Sequence, residues 1–476
     1  MRRVARLTAA VMISVLALIG AVRLVGPAQT PSSVRRQLTF LRSELNDGAA
    51  AEAQSQFPEG YFFLYALYGL TAVNLGEADE ARWALGFLES AEARAPFAAE
   101  LSPAYGIFYR GWLNWLRGGI LSLEPPGTHD PAFERDSAEL AAAFDQSPVP
   151  FLPAYPGQAW PVDSTVAIAS LSLHDKLSTP RYGATITRWL AGARVNLDPA
   201  TGLIPHTTDV DTGAPTSGAR GSSQSIIERF LPEIDPDFAR GQYLAFRSHF
   251  LARPLGLGPA IREYPHGTDG PADVDSGPLP LGISLSATVV TLGAARVEGD
   301  SSLAAGLANF GEVAGVPIDT WHTRRYALGL LPIGDAFLAW SKSARLLTAT
   351  PPAATVAPPS RPAPASVVPS PGSVVPSPGS VVPSPGSVVP SPGSVVPSPG
   401  AVVPSPGSVV PSPGAVVLSP GAVVPSPGSV VPPSASLAAP PRALGWWWRL
   451  PLLTLFLLLG VAPWLAGPLR RRLRRS

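Results

Sequence analysis

The sequence predicts an all-α protein: an α/α toroid of about six helical hairpins, followed by a disordered proline-rich stalk and a C-terminal transmembrane helix. Three observations support this fold class. Apolar residues recur with helical spacing between residues 31 and 347, a seven-residue proline repeat follows within 350–440, and residues 446–466 are mostly apolar. We therefore expect 31–347 to be the domain that folds around a core.

Residues 1–28 have the pattern of an export signal, in which a charged start precedes an apolar run. The apolar run at 7–22 is interrupted by Arg23 and falls short of the roughly 20 residues that cross a bilayer comfortably. Small residues at 26–28 offer a cleavage site. A cleaved signal peptide and an uncleaved signal anchor are both open, and either one exports the chain that follows.

The helical domain shows stripes of apolar residues separated by glycine, proline and asparagine breakers. Six hairpins of this length can close into a ring with inner and outer layers. An open solenoid of tetratricopeptide type is the alternative, and the pair at 59–94 resembles one such repeat. The spacing lengthens after residue 120, which favours the ring. The predicted helices lie near residues 33–46, 59–75, 77–94, 102–117, 132–145, 163–173, 179–196, 223–231, 236–251, 280–297, 300–311 and 321–346.

The repeat unit Ser/Ala-Val-Val-Pro-Ser-Pro-Gly runs from Ser366 to Val431, inside the linker at 350–440. Its prolines fix φ and lack a backbone donor, so neither a helix nor a central strand is expected. Polyproline II is the natural local conformation. We expect a passive, disordered tether, because the Pro-Ser-Pro spacing fits proline-recognition motifs poorly.

The C-terminal segment at 446–466 has the pattern of a membrane span. Three consecutive tryptophans stand where an interfacial aromatic belt belongs, and the arginine-rich tail at 467–476 stands where positive charge marks the cytoplasmic side. The expected location is the cell membrane, with a single-pass C-terminal anchor and the main domain outside the cytoplasm. A nucleic-acid partner is not expected, because this basic cluster directly adjoins the span.

The composition excludes several kinds of chemistry. The chain has no cysteine, and hence no disulfide, thiol nucleophile or zinc-thiolate site. It lacks a phosphate loop, a dinucleotide-binding glycine motif and a Gly-x-Ser-x-Gly elbow. No cofactor or metal is expected. Calcium is the alternative, because 209–213 and 273–277 begin like calcium loops, although neither continues to a glutamate at the twelfth position.

A short motif recurs in the domain: a β-branched residue, an aspartate, and then serine or threonine. Its aspartates are Asp163, Asp211, Asp275 and Asp319. One interpretation is helix capping, since Asp and Ser accept hydrogen bonds from the free amides of a first turn. The other is that equivalent helix starts in a ring gather these carboxylates around one mouth. The two interpretations are compatible.

Polar loops beside aromatic residues supply the candidate chemistry. Tyr and Trp faces can stack on pyranose rings, while a carboxylate pair provides acid and base for glycoside cleavage. Asp163, Glu263 and Asp275 are the candidate catalytic residues, since aromatic or apolar neighbours of the first two can raise a carboxyl pKa. The alternative is simple ion pairing, for example of Glu263 with Arg262.

The candidate substrate-binding residues lie in the same loops. Arg220 suits an anionic group, or else it pairs with Glu228 on the following turn. His266 and His322 suit the role of base or orienting group, although a loop histidine is commonly just solvated. The full set is Tyr155, Trp160, Arg220, Tyr264, His266, Asp273, Trp321 and His322.

These loops suggest a family. Trp160-Pro-Val-Asp163, together with Tyr264-Pro-His266 and the acidic segment at 273–278, resembles the loops of glycosidase-like α/α toroids, including the linalool dehydratase-isomerase type. The resemblance covers about 50–345 and implies a central pocket rimmed with carboxylates. The dehydratase reaction is associated with cysteines, which this chain lacks, so that reaction is not expected.

The resulting functional expectation has two alternatives. The first is an enzyme of glycoside hydrolase or lyase type that acts on a carbohydrate or cell-envelope ligand. The second is a non-catalytic binding or scaffold domain displayed on the stalk. Fold analogy alone does not choose between them.

Overall fold

The computed structural model of the chain describes residues 2–26, 30–347 and 446–473. The proline repeat, the cleavage segment at 27–28 and the end of the arginine tail lie outside the described residues. Contacts group the chain into one unit of Met1–Pro351 with Ala439–Ser476, and a second unit of Pro352–Ala438. All described residues belong to the first unit.

The described residues are mostly helical, which confirms the predicted all-α class. The helices are α1 Arg2–Val25, α2 Pro31–Asn46, α3 Ala49–Gln56, α4 Gly60–Leu75, α5 Ala78–Leu88, α6 Ala91–Arg94, α7 Gly106–Leu121, α8 Pro131–Gln146, α9 Pro161–Leu177, α10 Gly183–Val195, α11 Gly221–Phe230, α12 Pro236–Phe250, α13 Leu285–Val297, α14 Ser301–Ala314, α15 Pro332–Ser343 and α16 Leu450–Leu473. Several begin at a proline, whose fixed φ suits the first helical position.

Short strands form three small antiparallel sheets in the loops between helices. The first pairs β1 with β2, the second has the order β3-β4-β5, and the third pairs β6 with β7. The strands are β1 Thr207–Thr208, β2 Pro215–Ser217, β3 Leu251–Ala252, β4 Ala260–Arg262, β5 Ile283–Ser284, β6 Ile318–Asp319 and β7 Arg324–Arg325.

Six helices pack against one another in a continuous order. Helix α4 packs against α7, α7 against α9, α9 against α11, α11 against α13, and α13 against α15, which packs in turn against α4. A second set lies against this series: α5, α8, α10, α12, α14 and α2 each pack on one of its members. The chain alternates between the two sets, as consecutive helical hairpins do.

Aromatic side chains connect three helices of this series, α7, α11 and α15. Trp112 of α7 contacts Phe230 of α11 at 5.3 Å and Trp340 of α15 at 5.8 Å between ring centroids. Trp115 reaches the same Phe230 at 5.2 Å. All four rings are fully buried, and edge-to-face pairs of this kind contribute about 0.5–1.5 kcal/mol beyond their buried area. They connect helices that are far apart in the sequence.

Two predicted elements are corrected. The helix expected at 321–346 is wrong in its first half, where β6, a turn at 320–323 and β7 form a hairpin. A 3-10 turn at Ala327–Gly329 follows the hairpin, and the α-helix, α15, begins only at Pro332. The sequence analysis also predicts no helix at 49–56, yet α3 forms there after Gly48, whose φ of 96° starts a new helix direction.

The first and last helices pack against each other. Helices α1 and α16 lie antiparallel. Two segments are long and apolar enough to cross a membrane: Val4–Val25, within α1, and Trp447–Trp464, which begins in the 3-10 turn Trp446–Arg449 and continues into α16. Helix α1 also contacts α14 of the domain.

The start of α11 approaches β4 very closely. The amide of Gly221 donates to the carbonyl of Glu263 at 2.8 Å, and a Cβ on Gly221 would collide with the carbonyl oxygen of Arg262. Glycine is therefore required here for close approach of two backbones. This contact fixes the position of α11 relative to the loop that follows β4.

We predict that Gly221→Ala destabilises the protein by about 1–3 kcal/mol, because the new methyl group must push α11 away from β4. The matched control is Gly241→Ala, in the middle of α12, where nothing lies within 4 Å of the added Cβ. It should stabilise the protein by up to about 1 kcal/mol through helix propensity. Thermal unfolding of both variants checks the pair, and equal effects would contradict the close-contact argument.

Candidate active site

Carboxylates from separate parts of the sequence meet near the starts of α4 and α9. Asp163 lies in the first turn of α9 and is 6% exposed. Glu59 directly precedes α4, and Asp275 lies in the turn between β4 and β5. The charges of Asp275 and Glu59 both act on Asp163. Two of the three predicted catalytic residues, Asp163 and Asp275, are therefore brought together, with Glu59 beside them.

Burial and like charge shift the pKa of both aspartates upward. Burial first, and then the charges of Asp275 and Glu59, raise the pKa of Asp163 well above its usual range. Asp275 is itself solvent-exposed in its turn, although neighbouring protein atoms partly desolvate its carboxyl. This desolvation, with the charges of Asp273 and Glu59, raises the pKa of Asp275 to about 6.

Two aromatic residues border the carboxylates. The hydroxyl of Tyr155 donates to Glu59, and its ring meets Trp160 edge to face at 5.8 Å. The ring of Tyr155 also stacks on Phe97 at 5.8 Å, so it is held from two sides. Tyr155 and Trp160 are both partly exposed, which leaves ring surface available to a ligand.

Arg220, the residue before α11, links the other predicted acidic residues. Its Nε donates to Glu263 at 2.8 Å, and its Nη1 pairs with Asp273 at 2.5 Å. The guanidinium also lies over the Tyr264 ring, 5.1 Å from the centroid. The charges of Arg220, Asp273 and Glu263 act on Asp275, so this group adjoins the first one.

Glu263 is a fully buried acceptor of hydrogen bonds. In addition to Arg220, it accepts the Ser222 amide at 3.1 Å and the Ser222 hydroxyl at 2.7 Å. Burial raises its pKa, although Ser222 and Arg220 act in the opposite direction. With its oxygens occupied in this way, Glu263 is placed to hold Arg220 and the start of α11 rather than to exchange protons with a ligand.

Two pairings named as alternatives have other partners. Glu263 does form an ion pair with an arginine, but that residue is Arg220, and Arg262 bonds to Asp269 at 2.6 Å. Arg220 does not pair with Glu228, because its partners are Glu263 and Asp273. Glu228 is completely buried on α11, where burial and then the charge of Glu298 raise its pKa well above the usual range.

His206 forms a second buried polar group beside Arg220. Its Nδ1 is hydrogen bonded to the Ser223 hydroxyl in the first turn of α11. Burial, and then the charge of Arg220, lowers the pKa of His206 to about 4. The imidazole is therefore neutral near pH 7 and has no tendency to add positive charge to the site.

Three predicted binding residues, His266, Trp321 and His322, make no contact with the carboxylates within the described residues. The Nε2 of His266 bonds to the carbonyl of Leu251 at 3.0 Å, and the imidazole is exposed. Trp321 is 94% exposed at the turn between β6 and β7, and His322 is its exposed neighbour. Sequence proximity to Asp319 suggested a role for them, but Asp319 pairs with Arg36 and Arg324.

The repeated aspartate motif does not mark four equivalent helix starts. Asp163 is in a first helical turn, whereas Asp319 lies in β6 and Asp211 and Asp275 lie in turns. The capping interpretation is therefore wrong for three of the four copies, and at Asp163 the start of α9 has no side-chain cap hydrogen bond. The second and third copies, which contain Asp211 and Asp275, share a turn that ends in a glycine.

That shared turn also accounts for the likeness to calcium loops. The carboxylate of Asp209 accepts the Thr212 amide at 2.9 Å, and that of Asp273 accepts the Ser276 amide at 2.9 Å. Each turn ends in a glycine with positive φ, 71° at Gly213 and 64° at Gly277. Within the described part of the chain, no group of three acidic or histidine residues is arranged to hold a metal ion.

A cavity of about 190 Å³ lies apart from these carboxylates, on α7 and α8. Arg110 and Arg117 line it, and both pair with Asp136. Its charges are thus largely satisfied by one another. It shares no lining residue with the carboxylate cluster.

Glu59 and His206 are candidate site residues that the sequence patterns do not single out. The available signal for Glu59 is an acidic residue directly before an apolar helix, whereas Asp163 lies inside the first turn of its own helix. His206 has no such signal, because its approach to Ser223 depends on the fold of the intervening hairpin of β1 and β2.

No protein-family model matches the chain, and no curated protein is significantly similar to it. The chemistry of the site therefore follows from its geometry. Burial raises the pKa of Asp163 well above its usual range, and the pKa of Asp275 is raised to about 6. Two interacting carboxyls with raised pKa values are the kind of pair that acid and base catalysis uses.

We predict that Asp163→Asn stabilises the protein near neutral pH but not in acid. The pKa of Asp163 is higher in the folded state than in the unfolded state, so the free energy of unfolding of the wild type falls as the pH rises through the folded-state pKa. An asparagine at this position does not ionise, so the variant does not lose stability in this way. The two proteins should unfold at similar temperatures near pH 4, about the pKa of an aspartate in the unfolded chain, and should diverge as the pH rises above it. Asp211→Asn, at an exposed turn, is the control and should show no such divergence.

Proposed function

We propose that this chain is a membrane-anchored enzyme that acts outside the cytoplasm on a glycan or similar polar substrate, with Asp163 as acid and Asp275 as base. The observation that carries the proposal is that Asp275 is near enough for its charge to act on buried Asp163, and that the pKa values of both carboxyls are raised. Pairs of this kind serve glycoside hydrolysis and elimination alike.

An α/α toroid is the architecture we propose for the domain. The contact order of α4, α7, α9, α11, α13 and α15 returns to α4, which is the arrangement of an inner ring. The alternating helices that pack on this series would form the outer ring. Glu59, Asp163 and Arg220 stand at or just before the starts of α4, α9 and α11, so they would share one end of the ring.

Each group has a role in the proposed reaction. Asp163 protonates the leaving oxygen as the bond breaks, while ionised Asp275 removes a proton from the attacking water or from the substrate carbon. Tyr155 and Trp160 offer faces for a sugar ring. Arg220, held by Glu263 and Asp273, positions the turn that carries Asp275.

The proposed location is the cell membrane, with the domain on the outer side. Helix α16 contains an apolar segment long enough to span a bilayer, and tryptophans precede it. The sequence places arginines after it, on the side that the positive-inside rule assigns to the cytoplasm.

We predict that Asp163→Asn and Asp275→Asn each lower turnover by about 10²- to 10⁴-fold, the usual contribution of a general acid or base. The assay follows new reducing ends and ultraviolet absorbance of unsaturated products, using a panel of polysaccharides and cell-envelope glycans. Asp211→Asn, which shares the local motif but lies outside the cluster, should retain full turnover.

Binding measured on the same glycans separates the alternatives. Retained binding with lost turnover in Asp163→Asn supports the enzyme. Binding by the wild type without turnover on any glycan would identify a non-catalytic binding domain instead. Full turnover in both variants would contradict the assignment of the acid and the base.

A further inference from the structure

Helices α1 and α16 interlock along most of their length. Leu24 is completely buried against Trp448 and Leu452, at one end of the pair. Near the middle, Gly20 faces Phe456 so closely that a Cβ on the glycine would collide with that ring. Residue numbers fall along α1 as they rise along α16 from one contact to the next, so the two helices pack antiparallel. This pair of helices is called the hairpin below.

Small and hydroxyl residues continue the pairing towards the other end. A Cβ added to Gly460 would lie 3.6 Å from the Cβ of Ala17, which is van der Waals contact. The Ser14 hydroxyl donates to the Gly460 carbonyl at 2.7 Å and accepts from the Trp464 indole at 2.9 Å. Close approach at small residues and hydrogen bonds between helices are the interactions that join membrane helices.

The last carbonyls of α1 are satisfied by side chains from elsewhere in the chain. Asn309 of α14 donates to the carbonyls of Arg23 at 3.3 Å and Gly26 at 2.7 Å. Arg449 donates from Nε to the carbonyl of Leu24 at 3.2 Å and from Nη2 to the Asn309 amide oxygen at 3.3 Å. A helix end has four such unpaired carbonyls, and a cation there is favoured by the helix dipole.

Further contacts fix the domain on this end of the hairpin. The guanidinium of Arg23 donates to the carbonyl of Pro317 at 2.8 Å, and that of Arg253 lies 4.6 Å from the centre of the Trp447 ring. Phe310 and Val313 of α14 pack on the cluster formed by Leu24 and its partners. This contact between the domain and the end of the helix pair, called the joint below, thus uses residues from three separated regions of the domain.

The outward faces of both helices are apolar and uncovered. Leu16 and Leu18 of α1 are 65% and 64% exposed, and Leu457 and Leu458 of α16 are 67% and 63% exposed. Such a surface is unfavourable in water and suits the hydrocarbon of a bilayer. Leu255 is 82% exposed and lies two residues from Arg253, whose guanidinium contacts the Trp447 ring.

We propose that α1 is retained as a membrane helix and pairs with α16, so that the domain is held on the bilayer by a two-helix anchor instead of a single C-terminal span. Both arginine-rich ends of the sequence then lie on the same side of the membrane. This inference rests on the membrane location proposed above and is independent of the proposed chemistry.

The role of the proline repeat changes accordingly. Leu347 and Trp446, the described residues on either side of it, belong to one unit. With α1 in the membrane, the segment at 348–445 connects two points of a domain already anchored, and it does not set the distance of that domain from the bilayer. Removal of α1 as a signal peptide would take away the carbonyl acceptors of the Asn309 amide and of Arg449 Nε, and the Leu24 side chain that packs on Trp448.

The first test cuts the chain between the domain and α16. A site for a sequence-specific protease is inserted within 348–445 of the full chain, which carries an N-terminal epitope. After cleavage and a carbonate wash, the domain fragment should stay in the membrane pellet and keep its epitope. Release of the fragment, or loss of the epitope from the mature chain, would overturn the retained helix. A full chain that is soluble before cleavage would also overturn it, and would separately refute the membrane location.

The second test measures the pairing of α1 with α16 by disulfide formation between introduced cysteines. The natural chain has no cysteine, so no native thiol can form a competing disulfide. Ala17→Cys with Gly460→Cys places two Cβ atoms about 3.6 Å apart, within the range of a disulfide. After oxidation and protease cleavage, the two fragments should remain joined until reductant is added. The control pair is Leu16→Cys with Leu457→Cys, at neighbouring but outward positions, and it should stay unjoined. Equal joining in both pairs, or joining between two chains only, would refute the hairpin.

Discussion

The ion pair between Arg220 and Glu263 is the contact on which the geometry of the candidate site depends. It joins the start of α11 to the end of β4, and through Asp273 it extends to the turn that carries Asp275. Gly221 permits this contact by letting the two backbones meet. If one charge were missing, the other would be left buried without compensation, which is far costlier than the loss of an exposed pair. The position of Asp275 opposite Asp163 follows from this arrangement.

The carboxylate cluster carries more negative charge than the fold would need for stability. Asp163, Asp275 and Glu59 repel one another, and of the three only Glu59 has a hydroxyl partner among the described residues. Buried like charges destabilise a protein unless one of them keeps a proton. Placement at the starts of α4 and α9 reduces this cost, because the helix dipole favours negative charge there. Perturbed groups of this kind concentrate at functional sites.

The sequence predicts the helices well and the site in part. Apolar periodicity locates α4, α7 and α9, because their buried faces repeat every three to four residues. It misleads at 321–346, where a hairpin turn held by Thr320 interrupts an otherwise helical pattern. Among the site residues, Asp163 has a local signal in its own helix start. The partner of Arg220 does not, because Glu263 lies 43 residues away and meets it only through tertiary packing.

Irregularities in an apolar segment can be as informative as its length. Arg23 shortens the N-terminal apolar run, and Arg449 stands inside the C-terminal one, so each looks like a defect in a membrane span. In the fold both lie at the joint with the domain, where Arg449 satisfies the Leu24 carbonyl and Arg23 reaches Pro317. A charge at the end of a membrane helix is tolerated when it remains near the interface and is hydrogen bonded. Arg23 and Arg449 lower the hydropathy of their segments, but they also mark the helix ends and form the contacts between those ends and the domain.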